Sequence, residues 1–261
     1  MKKIFLFVAF AFLCMTYACE SDLAAPSSAA NTGVGGSYAR FIIVGKYMYV
    51  VDEQSLITFD VSEAANPVQI DKQPIGDRIE SIFNFKDKLF VGSGEGLFIY
   101  EILDTGLPRQ LSATSYFDFD IFPCDPVVAN DSFAYVTLNA KRRIDNPCGG
   151  DFEVNANLLK IYDITNPTRP NLLTEYEMFA PKGVGLDGTT LFVCDDEAGL
   201  KVFDISDPYN LKTIAHIDDI VTFDVIPLDG LLLVVGPKNV YEFDYTNLND
   251  IRLISSFQYG D

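Results

Sequence analysis

The sequence predicts an all-β protein, a β-propeller of five four-stranded blades, and three observations support this prediction. First, five segments of the 261-residue chain repeat one pattern: an apolar strand, a turn, a second strand ending in an acid, and a Ser/Thr-rich turn. Second, those acids recur at intervals of 41, 62, 41 and 40 residues, at Asp60, Glu101, Asp163, Asp204 and Asp244. Third, short strands separated by Gly, Asn, Asp and Pro, without an apolar stripe at helical spacing, favour a blade over a helical repeat.

The composition excludes several other classes of protein. The chain is 48% apolar and 13% aromatic, which is too hydrophobic for intrinsic disorder. It holds 19 basic against 37 acidic side chains, a formal net charge of −18. Because nucleic acid and anionic membrane surfaces require clustered Lys and Arg, no nucleic acid partner is expected. With one histidine, His216, and no zinc-type Cys/His spacing, neither a metal site nor a cofactor is predicted.

Residues 1–18 are predicted to be a lipoprotein signal peptide. Two lysines precede the apolar run Ile4–Leu13, which is too short to span a bilayer as a mature helix. Ala18 before Cys19 resembles a bacterial lipobox, which implies cleavage before Cys19 and lipidation of that cysteine, although Thr16 departs from the usual Leu. The alternative is an ordinary secretory signal with an incidental cysteine.

Residues 19–37 are predicted to be a flexible tether between the lipid anchor and the propeller domain, residues 38–261. The tether lacks periodicity and is rich in small side chains. Glu20 and Asp22 resemble the export signals of some Gram-negative surface lipoproteins. We therefore expect a protein of the bacterial cell envelope that is anchored to the outer membrane by lipid and exposed on the cell surface.

Each repeat unit predicts four strands, A to D, joined by tight turns. In the second unit these are Ile79–Phe85, Leu89–Val91, Leu97–Glu101 and Gln110–Tyr116. Two-residue turns between strands A and B are expected at Lys86-Asp87, Asp187-Gly188 and Asp229-Gly230. The last strand D is Arg252–Gln258, so we expect blades one and five to meet and close the ring.

Three units carry a more specific motif. Gly199–Pro208 reads GLKVFDISDP, Ile161–Pro167 reads IYDITNP, and Ile57–Ser62 reads ITFDVS. These segments resemble the LVIVD repeat family, whereas the second and fifth units depart most from its pattern. The resemblance implies a propeller, often on secreted or anchored bacterial proteins, and little about activity. We interpret the recurring acids as turn residues that accept hydrogen bonds from N–H groups two residues on, rather than as catalytic or calcium-binding groups.

The third unit has a long loop between strands B and C, Asn139–Asn155, which contains the basic residues Lys141, Arg142 and Arg143. An unusually long loop on a rigid scaffold is often functional, so this is a candidate partner-binding loop. The fold places Cys148 of this loop and Cys124 of the preceding D-to-A connection on one rim, which predicts a disulfide. Two unrelated thiols are the alternative to the disulfide, and stability alone is the alternative to partner binding.

The mouth of the central channel is a second candidate site. Each unit places one charged residue within one residue of the start of strand A, and these are Arg40, Glu80, Asp125, Lys182 and Asp224. Such a ring of charges can orient a polar ligand or bind a cation. The alternative is that these residues are solvated loop ends paired with one another.

Two functions are compatible with this sequence. We favour a noncatalytic binding or scaffold module for an envelope protein or polysaccharide partner, because the single histidine lies in an outer strand and cannot complete a nucleophilic triad. The alternative is a propeller-type hydrolase or lyase. In that case Asp125, Glu80 or Asp224 would act as acid or base, and Arg40 or Lys182 would stabilise developing charge.

Overall fold

The computed structural model describes residues 36–116, 126–139, 141–144 and 152–259, which belong to the compact unit Asn31–Asp261. The predicted signal peptide, Cys19, most of the tether, and the cysteines 124 and 148 lie outside these ranges. Within them the chain forms twenty-two β-strands. A search of these residues finds no helix that is long and apolar enough to cross a bilayer.

Twenty of the strands form five four-stranded antiparallel sheets in chain order. Sheet one holds β1 (Phe41–Val44), β2 (Tyr47–Val51), β3 (Ser55–Asp60) and β4 (Val68–Pro74). Sheet two holds β5 (Ile79–Phe85), β6 (Lys88–Ser93), β7 (Gly96–Ile102) and β8 (Pro108–Ser115). Sheet three begins with β9 (Val127–Ala129) and β10 (Phe133–Leu138), continues after the hairpin β11 (Lys141–Ile144) and β12 (Phe152–Asn155), and ends with β13 (Leu158–Asp163) and β14 (Asn171–Glu177).

Sheet four holds β15 (Val184–Asp187), β16 (Thr190–Cys194), β17 (Leu200–Asp204) and β18 (Lys212–Ile217). Sheet five holds β19 (Asp224–Leu228), β20 (Leu231–Val235), β21 (Asn239–Asp244) and β22 (Arg252–Gln258). The first strands of the sheets adjoin in the order β1, β5, β9, β15, β19. The predicted all-β architecture of five four-stranded blades is therefore confirmed.

The predicted turns between strands A and B are correct at two of three positions. Lys86-Asp87 and Asp229-Gly230 connect paired residues, and Lys86, Asp229 and Gly230 have the positive φ typical of such hairpins. The turn expected at Asp187-Gly188 is shifted by one residue, because Asp187 pairs with Thr190. Gly188, with φ of 55°, takes the first turn position.

The recurring acids fix the turns between strands C and D, as predicted, in four of the five blades. Asp204 Oδ1 accepts the Ser206 N–H at 2.9 Å and the Ser206 hydroxyl at 2.5 Å. The same pair of bonds recurs at Asp60, Asp163 and Asp244. These hydroxyl bonds lower the pKa of each of the four carboxyl groups. Glu101 differs because its longer side chain pairs with Arg109 instead.

Burial shows that the ring is packed at four of its five junctions. Four buried clusters join sheets one and two, two and three, three and four, and four and five. No such cluster joins sheet five to sheet one among the residues that the structure describes, and Phe41 and Ile43 of β1 remain 60% and 37% exposed. Among the described residues, blades one and five meet at the channel mouth, where the Ser37 hydroxyl, before β1, donates to Asp224 of β19 and Tyr38 stacks on Phe223.

Candidate functional site at the channel mouth

The segment Gly36–Arg40 contacts sheets two, four and five. Ser37 is 1% exposed; its hydroxyl donates to Asp224 Oδ1 at 3.0 Å and accepts the Val184 N–H at 2.8 Å. Two residues later, the Ala39 carbonyl accepts the Ile82 N–H at 2.8 Å. Sheets four and five are thereby linked to sheet two. Gly36 and Ser37, which the sequence placed in the tether, lie within the propeller.

Asp224 is the mouth residue whose carboxyl group is held by the backbone around it. Burial raises the pKa of its carboxyl above the usual range, although the N–H of Val225 and the hydroxyl of Ser37 both donate to it. A Cβ atom at Gly36 would lie 2.0 Å from Asp224 Oδ2, and one at Gly183 would lie 2.3 Å from Oδ1. The two glycines are therefore required by the close approach of the backbone to this carboxylate.

Lys182 lies against Phe223, the residue before Asp224. Its ammonium is 3.1 Å from Asp196 Oδ2 and 5.3 Å from the centroid of the Phe223 ring. On the same ring stacks Tyr38, with centroids 4.8 Å apart and an interplanar angle of 18°. Tyr38, Phe223 and Lys182 thus form a partly exposed layer over the buried contact of Ser37 with Asp224.

Arg40 and Glu80, the other mouth residues that the structure describes, do not join this group. Arg40 donates from Nη2 to the Ile79 carbonyl at 3.0 Å, across the junction with sheet two. Glu80 is half-buried and lies in β5 between Ile79 and Ser81, where the register with β6 shifts. Asp125 lies outside the described ranges. The structure therefore brings Lys182 to Phe223, next to Asp224 in the chain, and both charged groups bond to groups of the protein itself.

A cavity on the same rim was not predicted from the sequence. It encloses about 250 Å³ and is lined by Glu53, Gln54, Asp77, Arg78 and Glu95. These residues come from the B-to-C loops of blades one and two and from the connection between the two blades. Because they lie up to 42 positions apart, only the closed packing of the two blades brings them together.

The walls of this rim cavity are held by backbone hydrogen bonds. The Ile79 N–H donates to the Glu53 carbonyl at 3.1 Å, and the Gly94 N–H donates to the Arg78 carbonyl at 3.0 Å. Arg78 has a φ of 55°, a conformation that non-glycine residues rarely adopt. Across the floor, Gln54 Nε2 donates to Asp77 Oδ1 at 2.6 Å. The described residues hold no group of three His, Cys, Asp or Glu side chains placed to bind a metal ion.

A buried carboxylate supports the rim at blade four. Asp195 is fully buried, accepts the N–H of Ala180 at 2.8 Å and that of Phe179 at 3.0 Å, and pairs with Lys201. These bonds tie the connection between blades three and four to the B-to-C loop of blade four. The rim loops are consequently part of the rigid scaffold.

The remaining predicted residues are placed as follows. Lys141, Arg142 and Arg143 lie on β11, so the long loop of blade three contains a β-hairpin, in which Lys141 pairs with Asn155 and Ile144 with Phe152. His216 is exposed on β18, as predicted, with Nε2 2.7 Å from the Ala198 carbonyl oxygen. A second cavity, of about 360 Å³, lies on the opposite face between blades four and five, where the Tyr245 hydroxyl donates to Asp187 at 2.7 Å.

Comparisons with known proteins agree with this architecture. The model of the LVIVD repeat matches residues 35–71, 154–178 and 182–218, which confirms the predicted resemblance. A comparison with curated proteins finds no match.

Solved structures share the fold at low sequence identity. A protein from Lactobacillus plantarum superposes with a TM-score of 0.61 and 14% identity, over 82% of this chain and 69% of that one. The periplasmic gluconolactonase PpgL of Pseudomonas aeruginosa gives 0.59 and 15%, over 83% and 68%. AztD from Citrobacter koseri gives 0.53 and 13%, over 86% and 60%.

Proposed function

Because the chain is a β-propeller that carries LVIVD repeats, we propose that it is a noncatalytic binding module of the bacterial cell envelope, anchored by lipid on Cys19. The observation that carries this proposal is the rim cavity between blades one and two. Its walls are fixed by backbone hydrogen bonds, whereas its lining consists of polar side chains. A preformed recess with a few convergent polar groups is the usual form of a ligand-binding site.

The chemistry of the cavity favours a hydroxyl-rich ligand such as an envelope polysaccharide. Glu53, Asp77 and Glu95 supply carboxylate acceptors, while Gln54 and Arg78 supply donors. Sugar hydroxyl groups can donate to the first set and accept from the second. A protein partner that contacts the wider rim, including the hairpin β11–β12, is the other form of the same proposal.

The basic hairpin extends the proposed binding rim. Lys141, Arg142 and Arg143 are clustered on an otherwise acidic molecule, and β11 leaves blade three between strands B and C. We include in the proposal a disulfide between Cys124 and Cys148, which would tie the segment between β11 and β12 to the connection that enters blade three. Closing a loop of that length stabilises a chain by roughly 3–4 kcal/mol in the chain-entropy treatment.

Lipid anchoring is tested by metabolic labelling. We expect cells supplied with an alkyne-bearing palmitate to label the wild-type protein and the Cys14→Ala variant, but not Cys19→Ala. The reason is that only Cys19 follows a small residue, Ala18, as the lipobox requires. Labelling that persists in Cys19→Ala, or is lost in Cys14→Ala, would refute this assignment.

Binding at the rim is tested with a pair of variants matched in backbone conformation. Arg78 and Lys86 both have a φ of 55°, so glycine is tolerated at either position, but Lys86 lies in an A-to-B turn on the opposite face. We expect Arg78→Gly to lower retention of envelope polysaccharide by the immobilised domain at least tenfold, and Lys86→Gly to leave it unchanged. Equal retention by both variants, or none by the wild type, would contradict the proposal.

Hydrolase or lyase activity at the mouth is less well supported. The carboxylate that it would use, Asp224, is buried and accepts hydrogen bonds from Ser37 and Val225. The likeness to a gluconolactonase is one of fold at 15% identity. Turnover of a sugar lactone that is abolished by Asp224→Asn would nevertheless favour the enzyme over the binding module.

A further inference from the structure

The cavity on the face opposite the rim, between blades four and five, has no part in the function proposed above. It encloses about 360 Å³, which is within the range of small-molecule sites. The A-to-B hairpins of both blades and the C-to-D turn of blade five form its walls. Its lining includes the carboxylates of Asp187 and Asp229 but no Lys or Arg of the described chain. The cavity is therefore negatively charged.

Tyr245 adds a buried hydroxyl to this lining. At the same position, directly after the strand C acid, blades one to four carry an aliphatic residue: Val61, Ile102, Ile164 and Ile205. In blade five Tyr245 is 5% exposed, and its ring packs edge-on against Phe192 of blade four. Its hydroxyl donates to Asp187 Oδ2 at 2.7 Å. The departure of blade five from the repeat thus holds one carboxylate of the cavity in place.

A second buried hydroxyl in the lining belongs to Thr190. This residue is 6% exposed, and its side chain makes no hydrogen bond to the part of the chain that the structure describes. Thr190 stands opposite Asp187 in the register of β15 and β16, so both side chains lie on one side of the hairpin. Because a buried polar group without a partner costs free energy, this hydroxyl is suited to a ligand in the cavity.

The carboxylates of the cavity lie close to one another. Burial, together with the charges of Asp187 and Asp229, raises the pKa of Tyr245 to about 12, so its hydroxyl stays protonated and both carboxylates lie near it. Tyr245 occupies Oδ2 of Asp187. Within the described ranges, Oδ1 of Asp187 and both oxygens of Asp229 accept no hydrogen bond. These three acceptors are available to a donor from outside the chain.

We propose that this cavity binds a small primary amine that also carries hydroxyl groups, as amino sugars and amino alcohols do. The ammonium group supplies three charged donors, which Asp187 and Asp229 can accept. A ligand hydroxyl can pair with Thr190, and the half-buried side chain of Leu248 can contact the carbon skeleton. The site lies on the face opposite the rim cavity, so it is independent of the binding proposed there.

The test is calorimetric titration of the purified protein with glucosamine, and with glucose as the analogue that lacks the ammonium group. We expect glucosamine to bind the wild type at least tenfold more tightly than glucose. Asp187→Asn, which removes a charge of the cavity, should weaken glucosamine binding at least tenfold. Tyr245→Ile should do the same, because it removes the hydroxyl that holds Asp187, and it restores the residue type that blades two, three and four carry at this position.

Two control variants separate this site from the rest of the molecule. Asp131→Asn removes one exposed charge from the A-to-B turn of blade three, on the same face, and should leave glucosamine binding unchanged. Arg78→Gly, in the rim cavity, should also leave it unchanged, so this proposal and the proposed function can fail separately. Circular dichroism must show folded protein for each variant, and Thr190→Val replaces Tyr245→Ile if the latter unfolds. A wild type that binds glucosamine no more tightly than glucose, or not at all, would overturn the proposal, as would equal binding by Asp187→Asn and Asp131→Asn.

Discussion

Replacing Asp195 with Ala is expected to lower the free energy of unfolding by about 3–5 kcal/mol, because it removes the fully buried member of an ion pair together with the acceptor of two backbone N–H groups. The substitution removes the acceptor of the Phe179 and Ala180 N–H groups and leaves the ammonium of Lys201 without its carboxylate. Urea denaturation followed by circular dichroism measures the loss. Because the bonds hold a rim connection, the midpoint should shift without a change in the folded spectrum.

Two further variants separate the effect of losing the ion pair from the effect of removing a charge. Asp195→Ala combined with Lys201→Met should cost less than the sum of the single changes, since the double variant leaves no isolated charge. Asp131→Ala removes the partner of Lys86 in an ion pair whose side chains are both more than half exposed, and should change stability by less than about 1 kcal/mol. A cost for Asp195→Ala as small as that for Asp131→Ala would show that the rim does not depend on this carboxylate.

The features predicted correctly from the sequence are those that depend on neighbouring residues. Asp204 and Ser206 form their turn within two positions, so the motif alone specifies the bonds. The turn at Gly188 was displaced by one residue because Asp187 and Gly188 both suit a turn, and only the pairing of Asp187 with Thr190 decides between them. The recurring turn chemistry and strand lengths were thus sufficient to predict five blades.

The features that were missed depend on residues far apart in the chain. Ser37 contacts Asp224 across 187 positions, and Glu53 shares a cavity with Glu95 of the next blade. Closure of the ring was inferred from the number of repeats, but the repeats fix the contents of each blade and not the angle between the first and the last. The exposure of Phe41 and Ile43 in β1 is visible only in the burial of their side chains.

Replacing Ser37 with Ala is expected to lower the free energy of unfolding by roughly 2–4 kcal/mol at pH 7, because one buried N–H group is left without an acceptor and a half-buried carboxylate loses one of its donors. Asp224 loses a hydroxyl donor, and the Val184 N–H loses its acceptor. Ser255→Ala is the matched control. Ser255 lies on exposed β22, where its hydroxyl donates to Glu242, and its removal should have little effect.

The effect of pH on this loss of stability tests whether Ser37 acts through its hydrogen bond to Asp224. Burial raises the pKa of Asp224 in the folded state, so ionisation opposes folding, and stability from this group increases as the pH falls from 7 toward the unfolded value near 4. Protonated Asp224 depends less on a donor, so the cost of Ser37→Ala should be smaller at pH 4.5 than at pH 7. In an Asp224→Asn background the cost should not vary with pH, because the titrating group is gone.

Below about pH 4 the four turn carboxylates, whose pKa values are lowered, lose their stabilising charge in both backgrounds alike. A cost of Ser37→Ala that is the same at both pH values in the wild-type background would mean that the serine acts only through Val184.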